Sequence, residues 1–286
     1  MILGVNFEPA AGAPLGYEVE AVRALRPAVV RHVLLDWQNG LAWASSARRS
    51  CVRVLWTIPS DVIGVPAARH ALRELVVGAA DVTAGYEIGL APWQYLDPRA
   101  HLVAAYRLAE HVPHNPNVPV ILGTGYNRAR QAERWLAGLV AAAPPRSRMF
   151  DAVSVHCVDQ SWAVPLSGLS WALAADRIRR AFDVPLAVTR AGWPLESRLG
   201  LVARVIETVA AGQPTRVLTA PARRRWLFRL LGWADALEAT HVLLEADGSP
   251  GAPRWSLYDR ESGLADHLWP ACRWRVSGLE RRRAAA

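Results

Sequence analysis

Short runs of apolar, often β-branched residues recur along the chain, and between them the hydrophobic positions return at helical spacing. The runs are Leu3–Phe7, Val29–Leu35, Val52–Ile58, Ala84–Gly89, Val118–Gly123, Ala152–His156, Leu186–Thr189 and His241–Glu245. Strands that are apolar on nearly every residue belong to a sheet covered on both faces, which is the condition of parallel strands alternating with helices. The intervening stretches fit. From Pro66 to Val77, Ala67, His70, Ala71, Leu75 and Val76 fall near one face, with Arg69, Arg73 and Glu74 largely on the other. Pro98 to His111, Arg128 to Ala142 and Leu169 to Phe182 repeat the pattern. Eight strand–helix units in one chain predict a closed (β/α)8 barrel, the TIM-barrel class of α/β fold, over an open sheet.

The 286 residues carry no internal repeat or low-complexity linker, so residues 1–286 read as a single barrel domain. The stretch after the seventh strand is longer than one helix requires. Ser197–Ala211 and Ala222–Leu237 read as two helices broken at Gly212-Gln213-Pro214, which places an extra helix near 213–238. Arg254–Tyr258 reads as a further short strand or turn, and residues 279–286 as a short charged tail.

Composition narrows the function classes. With 52% hydrophobic and 20% charged residues there is ample core and no disorder signature. The net charge is +8, and all 33 basic residues are Arg; Lys is absent, which reads as coding bias. The arginines are spread out, with clusters only at Arg223–Arg225 and Arg281–Arg283, and no aromatic–basic recognition motif accompanies them. No specific nucleic-acid partner is therefore expected, and most arginines read as solvated helix faces. Cys51, Cys157 and Cys272 are far apart and odd in number, which predicts buried free thiols, with no metal and no cofactor. Sparse Asn, Gln, Met and Cys are compatible with a heat-adapted, thermophile source. No run is long enough to span a membrane, and Ile2–Phe7 leaves no room for a signal peptide. The expected setting is cytoplasmic, or a component of a virion or similar particle.

In such barrels the chemistry lies in the loops that follow the strands. The strand ends offer Asn6 and Glu8; Arg31, Asp36 and Trp37; Trp56 and Asp61; Glu87 and Trp93; Tyr126; His156 and Asp159; Arg190 and Trp193; Glu245 and Asp247. Two of these segments carry a resemblance. Tyr86-Glu87-Ile88-Gly89-Leu90-Ala91-Pro92 is similar to the Trp-Glu-Ile-x-Asn-Glu-Pro segment on the fourth strand of the (β/α)8 retaining glycoside hydrolases, the cellulase-like and xylosidase-like families. Val188-Thr189-Arg190-Ala191-Gly192-Trp193 resembles their seventh-strand Val-Thr-Glu-x-Gly-Trp. Arg31, the run Asp151–His156 and the tail from Trp255 through Gly263 match more weakly. The resemblance implies a glycoside-hydrolase-like barrel in which Ala91 stands where the family has its acid/base and Arg190 where it has its nucleophile.

Retaining hydrolysis needs two carboxyl groups roughly 5 Å apart. Ala91 has no proton to give. Arg190 is a permanent cation that repels the positive charge developing at the anomeric carbon. The expectation is no glycosidase activity by the standard route, hence no catalytic residue at these degenerate positions. A relocated pair drawn from Glu8, Asp36, Glu87, Asp159 and Glu245 is the alternative that keeps an active hydrolase. A cation set into a barrel mouth needs a counter-charge, so Arg190 is predicted to pair with Glu87, Glu8 or Glu245.

The remaining candidate cleft comprises Arg31, Trp37, Glu87, Trp93, Tyr126, His156, Trp193 and Glu245, with Trp162 beside it. Flat rings there suit the apolar faces of a glycan, and serve equally to fill a cleft that takes no ligand. His156 suits a hydroxyl or a structural hydrogen bond. The leading expectation is an inactive glycosidase-like barrel used for binding or assembly, with protein partners in a larger assembly such as a phage tail. A carbohydrate-binding pseudoenzyme is the second.

Overall fold

Eight strands, β1 (Ile2–Asn6), β2 (Val29–Val33), β3 (Arg53–Ile58), β4 (Thr83–Ile88), β5 (Val120–Tyr126), β6 (Ala152–Cys157), β7 (Leu186–Ala191) and β8 (His241–Glu245), pair in chain order. Every pairing is parallel, and β1 returns to β8 with Ile2 opposite His241 and Asn6 opposite Glu245, so the sheet closes. The computed structural model describes residues 1–7, 15–34, 37–59, 66–90, 92, 96–113, 115–126, 130–143, 149–157, 167–191, 220–246, 257–259, 264–265 and 268–285. Among them the helices are α1 (Leu15–Leu25), α2 (Trp37–Ser50), α3 (Pro66–Gly78), α4 (Pro98–Ala109), α5 (Arg130–Ala142), α6 (Ser167–Phe182), α7 (Ala220–Ala236) and α8 (Leu268–Ala285). The fold is the expected (β/α)8 barrel.

Period-two alternation splits the strand residues between two cores. Val30, Val54, Val153, Val188 and Val242 face the helices and join the large cluster between sheet and helix ring. Val29, Leu55, Ala84, Ile121, Ala152, Ala187 and Leu243 form a separate cluster that fills the barrel. The lumen is thus packed rather than open, as this architecture requires. Two residues further along most strands the inward positions turn polar: Asn6, Arg31, Thr57, Glu87, Ser154, Thr189 and Glu245. A polar layer therefore lies over an apolar floor at the carboxyl end of the barrel.

Buried indoles tie neighbouring elements together, each N–H finding an acceptor where burial would otherwise leave it unpaired. Trp56 donates to Thr83 Oγ1 at 3.0 Å, Trp135 to the Leu96 carbonyl at 2.7 Å, and Trp269 to the Leu25 carbonyl at 2.6 Å. Trp43 donates to the carboxylate of Glu18, joining α2 to α1. Helix α4 starts cleanly because the Asp97 side chain accepts from the backbone N–H groups of Arg99 and Ala100, both at 3.0 Å, with Pro98 in the first turn. At the close of β4, Gly89 has φ 110°, and a Cβ on Gly123 would lie 1.9 Å from the Gly89 carbonyl oxygen. Backbone meets backbone there, so β5 passes β4 without a side chain between them.

Three expectations are corrected. His70 is exposed and faces Glu74 at 3.3 Å, while α3 buries Leu72 and Leu75. Cys51 is exposed at a turn with φ 52°, and only Cys272 of the two described thiols is buried. Residues 279–285 are helical rather than a tail, because α8 buries Trp269, Cys272, Val276 and Leu279 along one stripe. Of the two helices expected after β7, the second falls at α7, and Ser197–Ala211 lies outside the described residues. After β8, Tyr258–Asp259 pairs antiparallel with Leu264–Ala265, a little beyond the strand expected at Arg254–Tyr258.

Candidate functional site at the carboxyl end of the barrel

Glu87 is the centre of the polar layer and is wholly buried. Its Oε2 accepts from Arg31 Nε and from Thr57 Oγ1, both at 2.7 Å. Its Oε1 accepts from Ser154 Oγ at 2.5 Å and from Thr189 Oγ1 at 2.6 Å. A carboxylate offers about four acceptor sites, and all are used. Arg31, 1% exposed, donates in turn from Nη1 to Asn6 Oδ1 at 2.9 Å. Six strands thus supply one ion pair with its hydrogen-bonded shell. Burial alone pushes the Glu87 carboxyl up, but the Arg31 guanidinium and the hydroxyl donors outweigh it and hold the group down at about 2. It is ionised at any ordinary pH and has no proton to exchange.

His156 stands opposite Arg190 in the β6–β7 register and is buried. Desolvation lowers its pKa to about 3, aided by the Arg31 and Arg190 charges and opposed by Glu87. The imidazole is therefore neutral at physiological pH, where it adds no charge to hold Glu87 ionised. Its Nε2, like Arg31 Nη2, has no hydrogen-bond partner among the described residues.

Arg190 and Glu245 are half-buried, at 24% and 15% exposure, and Arg190 Nε donates to Glu245 Oε1 at 2.5 Å. The predicted counter-charge is present: among the described residues it is Glu245, while Glu8 lies outside them. Glu87 is already committed to Arg31. The two described carboxylates of the barrel mouth, Glu87 and Glu245, are each held by an arginine.

The structure brings Arg31, Glu87, His156, Arg190 and Glu245 together. Trp37 opens α2 and Tyr126 ends β5, but their side chains lie outside the described set, as do Glu8, Asp36, Ala91, Trp93, Asp159, Trp162 and Trp193. The sequence reading names Asn6 only as a strand-end residue and does not single out Thr57, Ser154 and Thr189 as donors. Their signal was a small polar residue two places beyond an inward apolar one, as in Leu55-x-Thr57, Ala152-x-Ser154 and Ala187-x-Thr189. Among the described residues no three His, Cys, Asp or Glu side chains come together in an arrangement able to hold a metal. No described helix is long and apolar enough to cross a membrane.

No protein-family model matches the chain, and no curated protein does. Solved structures do. A fungal β-1,4-galactanase superposes with a TM-score of 0.58 at 12% identity, over 94% of this chain and 93% of that one. The endo-β-1,4-mannanase of Thermotoga petrophila gives 0.54 at 10% identity, over 97% of this chain and 76% of that one. An aldo-keto reductase from a Medee basin deep-sea metagenome gives 0.50 at 12% identity, over 96% and 90%. At such identities the likeness is one of fold. The chain is a (β/α)8 barrel built like those of glycoside hydrolases.

Proposed function

We propose that this chain is a glycosidase-like barrel that does not carry out double displacement and works as a binding or assembly module. The observation that carries the reading is the Arg190–Glu245 pair at the tip of β7, where the sequence resemblance places a nucleophilic carboxylate. A cation there opposes an oxocarbenium-like transition state, and its partner carboxylate is spent on it. Glu87, saturated with donors and low in pKa, offers neither proton nor lone pair. The setting proposed for the module is a larger particle such as a phage tail, where a rigid barrel contributes surface rather than turnover.

The test is turnover of a panel of aryl β- and α-glycosides. Release no faster than in buffer supports the reading. Saturable hydrolysis abolished by Glu245→Gln overturns it and establishes a hydrolase with relocated carboxylates. Sedimentation of the native protein with a particle, rather than free, supports the assembly setting.

A second reading, a carbohydrate-binding barrel, is favoured by the likeness to polysaccharide-cleaving folds. It requires glycan-array binding that disappears on Trp193→Ala.

A further inference from the structure

The two arginine clusters that the sequence keeps more than fifty residues apart, near Arg224 and near Arg282, fold onto neighbouring helices. Helix α8 packs on α7, and the guanidinium groups of Arg224 (on α7) and Arg275 (on α8) both lie over the Phe228 ring, at 5.2 and 6.0 Å. On the other side of α8, Arg273 lines the same surface cavity as Arg26 at the end of α1. Arg281 and Arg282 extend the row, both exposed. Among the described residues none of these six arginines has a carboxylate partner, whereas Arg48, Arg179 and Arg180 on α2 and α6 each do. The acid of α8, Glu280, lies 3.5 Å from the Met1 amino group. In the middle of the row Trp274 is 66% exposed, a large indole left in water between Arg273 and Arg275.

We propose that this face is a sequence-independent binding surface for a single-stranded nucleic acid. Guanidinium forks suit phosphate oxygens and release the counterions condensed around them. An exposed ring set among those cations suits the face of any base, which is how such surfaces bind without reading sequence. Like charge opposes a second copy that presents this same face. An acidic protein meets the charge but gives the indole no regular partner.

The experiment is fluorescence anisotropy of a labelled 20-nucleotide oligothymidylate titrated with the intact protein at 50–200 mM salt. Affinity falls with a log–log salt slope of roughly −3 to −4, as four to six phosphate contacts require. Arg281→Ser with Arg282→Ser flattens that slope by about 1.4. Trp274→Ala weakens binding roughly 5- to 100-fold with the slope unchanged. The same charge loss on α4, Arg99→Ser with Arg107→Ser, leaves binding as in the parent. Each variant is compared at an unchanged melting temperature. Equal losses from the α4 pair and the α8 pair, tighter binding of polyglutamate than of the oligonucleotide, or binding to phosphatidylglycerol vesicles but not to the oligonucleotide, each overturns the proposal.

Discussion

Removing the Glu87 charge tests the polar layer at its weakest point. Glu87→Gln keeps the shape of the side chain but leaves Arg31, 1% exposed, without its counter-charge; the amide oxygen stays on Arg31 Nε, and the NH2 faces the Ser154 and Thr189 hydroxyls, which rotate to accept. Breaking one half of a buried ion pair costs about 3–5 kcal/mol, because the surviving charge stays desolvated. For a chain of this size that corresponds to a fall in Tm of roughly 10 °C. Arg31→Met costs a similar amount for the mirror-image reason. The double variant Arg31→Met/Glu87→Leu carries no stranded charge. Its main loss is the acceptor of the Thr57, Ser154 and Thr189 hydroxyls, about 1 kcal/mol each, so it costs about 3 kcal/mol rather than the roughly 8 kcal/mol of the summed singles. Urea unfolding followed by tryptophan fluorescence and circular dichroism measures all three variants. A Glu87→Gln variant within 1 kcal/mol of the parent, or a double variant as costly as the sum, refutes the reasoning.

Further predictions concern pH and backbone. Burial lowers His32, His101 and His241 to about 4 and His156 to about 3, against 6.5 when free. The unfolded chain therefore takes up protons that the folded one refuses, starting near pH 6.5. Stability is level above pH 7.5 and lower by about 5 kcal/mol at pH 5.5, with Glu87 adding its loss below pH 4.5. Calorimetric melting from pH 8 to 5 checks this, and an unchanged Tm counts against it. Gly123→Ala forces a Cβ to 1.9 Å from the Gly89 carbonyl oxygen and costs about 3 kcal/mol by overpacking; urea denaturation within 0.5 kcal/mol of the parent argues against the close approach. Asp97→Ala removes the α4 cap and costs about 1 kcal/mol, read by the same denaturation, while Asp97→Ser recovers most of it.

Much of the barrel was legible because β-branched, doubly covered strands announce themselves locally. The mismatches have physical causes. The sequence reading ends β5 at Gly123. Here Gly123 allows the approach to Gly89, and Gly125, at φ 56°, sits in a register shift that carries the strand on to Tyr126. The end of β7 ran past Thr189 to Ala191 through a similar irregularity. The sequence reading sets His70 on the apolar face of α3, where Leu72 and Leu75 do the packing. At the site, local sequence could name Arg31, Glu87, Arg190 and Glu245 as strand-end charges. Which cation takes which anion depends on strands 55 and 56 residues apart being brought into one lumen. The basic face escaped for the same reason, since α7 and α8 meet only in the folded chain.

The central claim is that no carboxylate of this barrel attacks an anomeric carbon. The most direct measurement is the intact mass of the protein after incubation with a panel of 2-deoxy-2-fluoro glycosyl fluorides, which trap a glycosylated carboxylate when one forms. The account predicts an unchanged mass with every sugar. A single-sugar adduct, mapped to a carboxylate such as Glu245 and absent from Glu245→Gln, would contradict it.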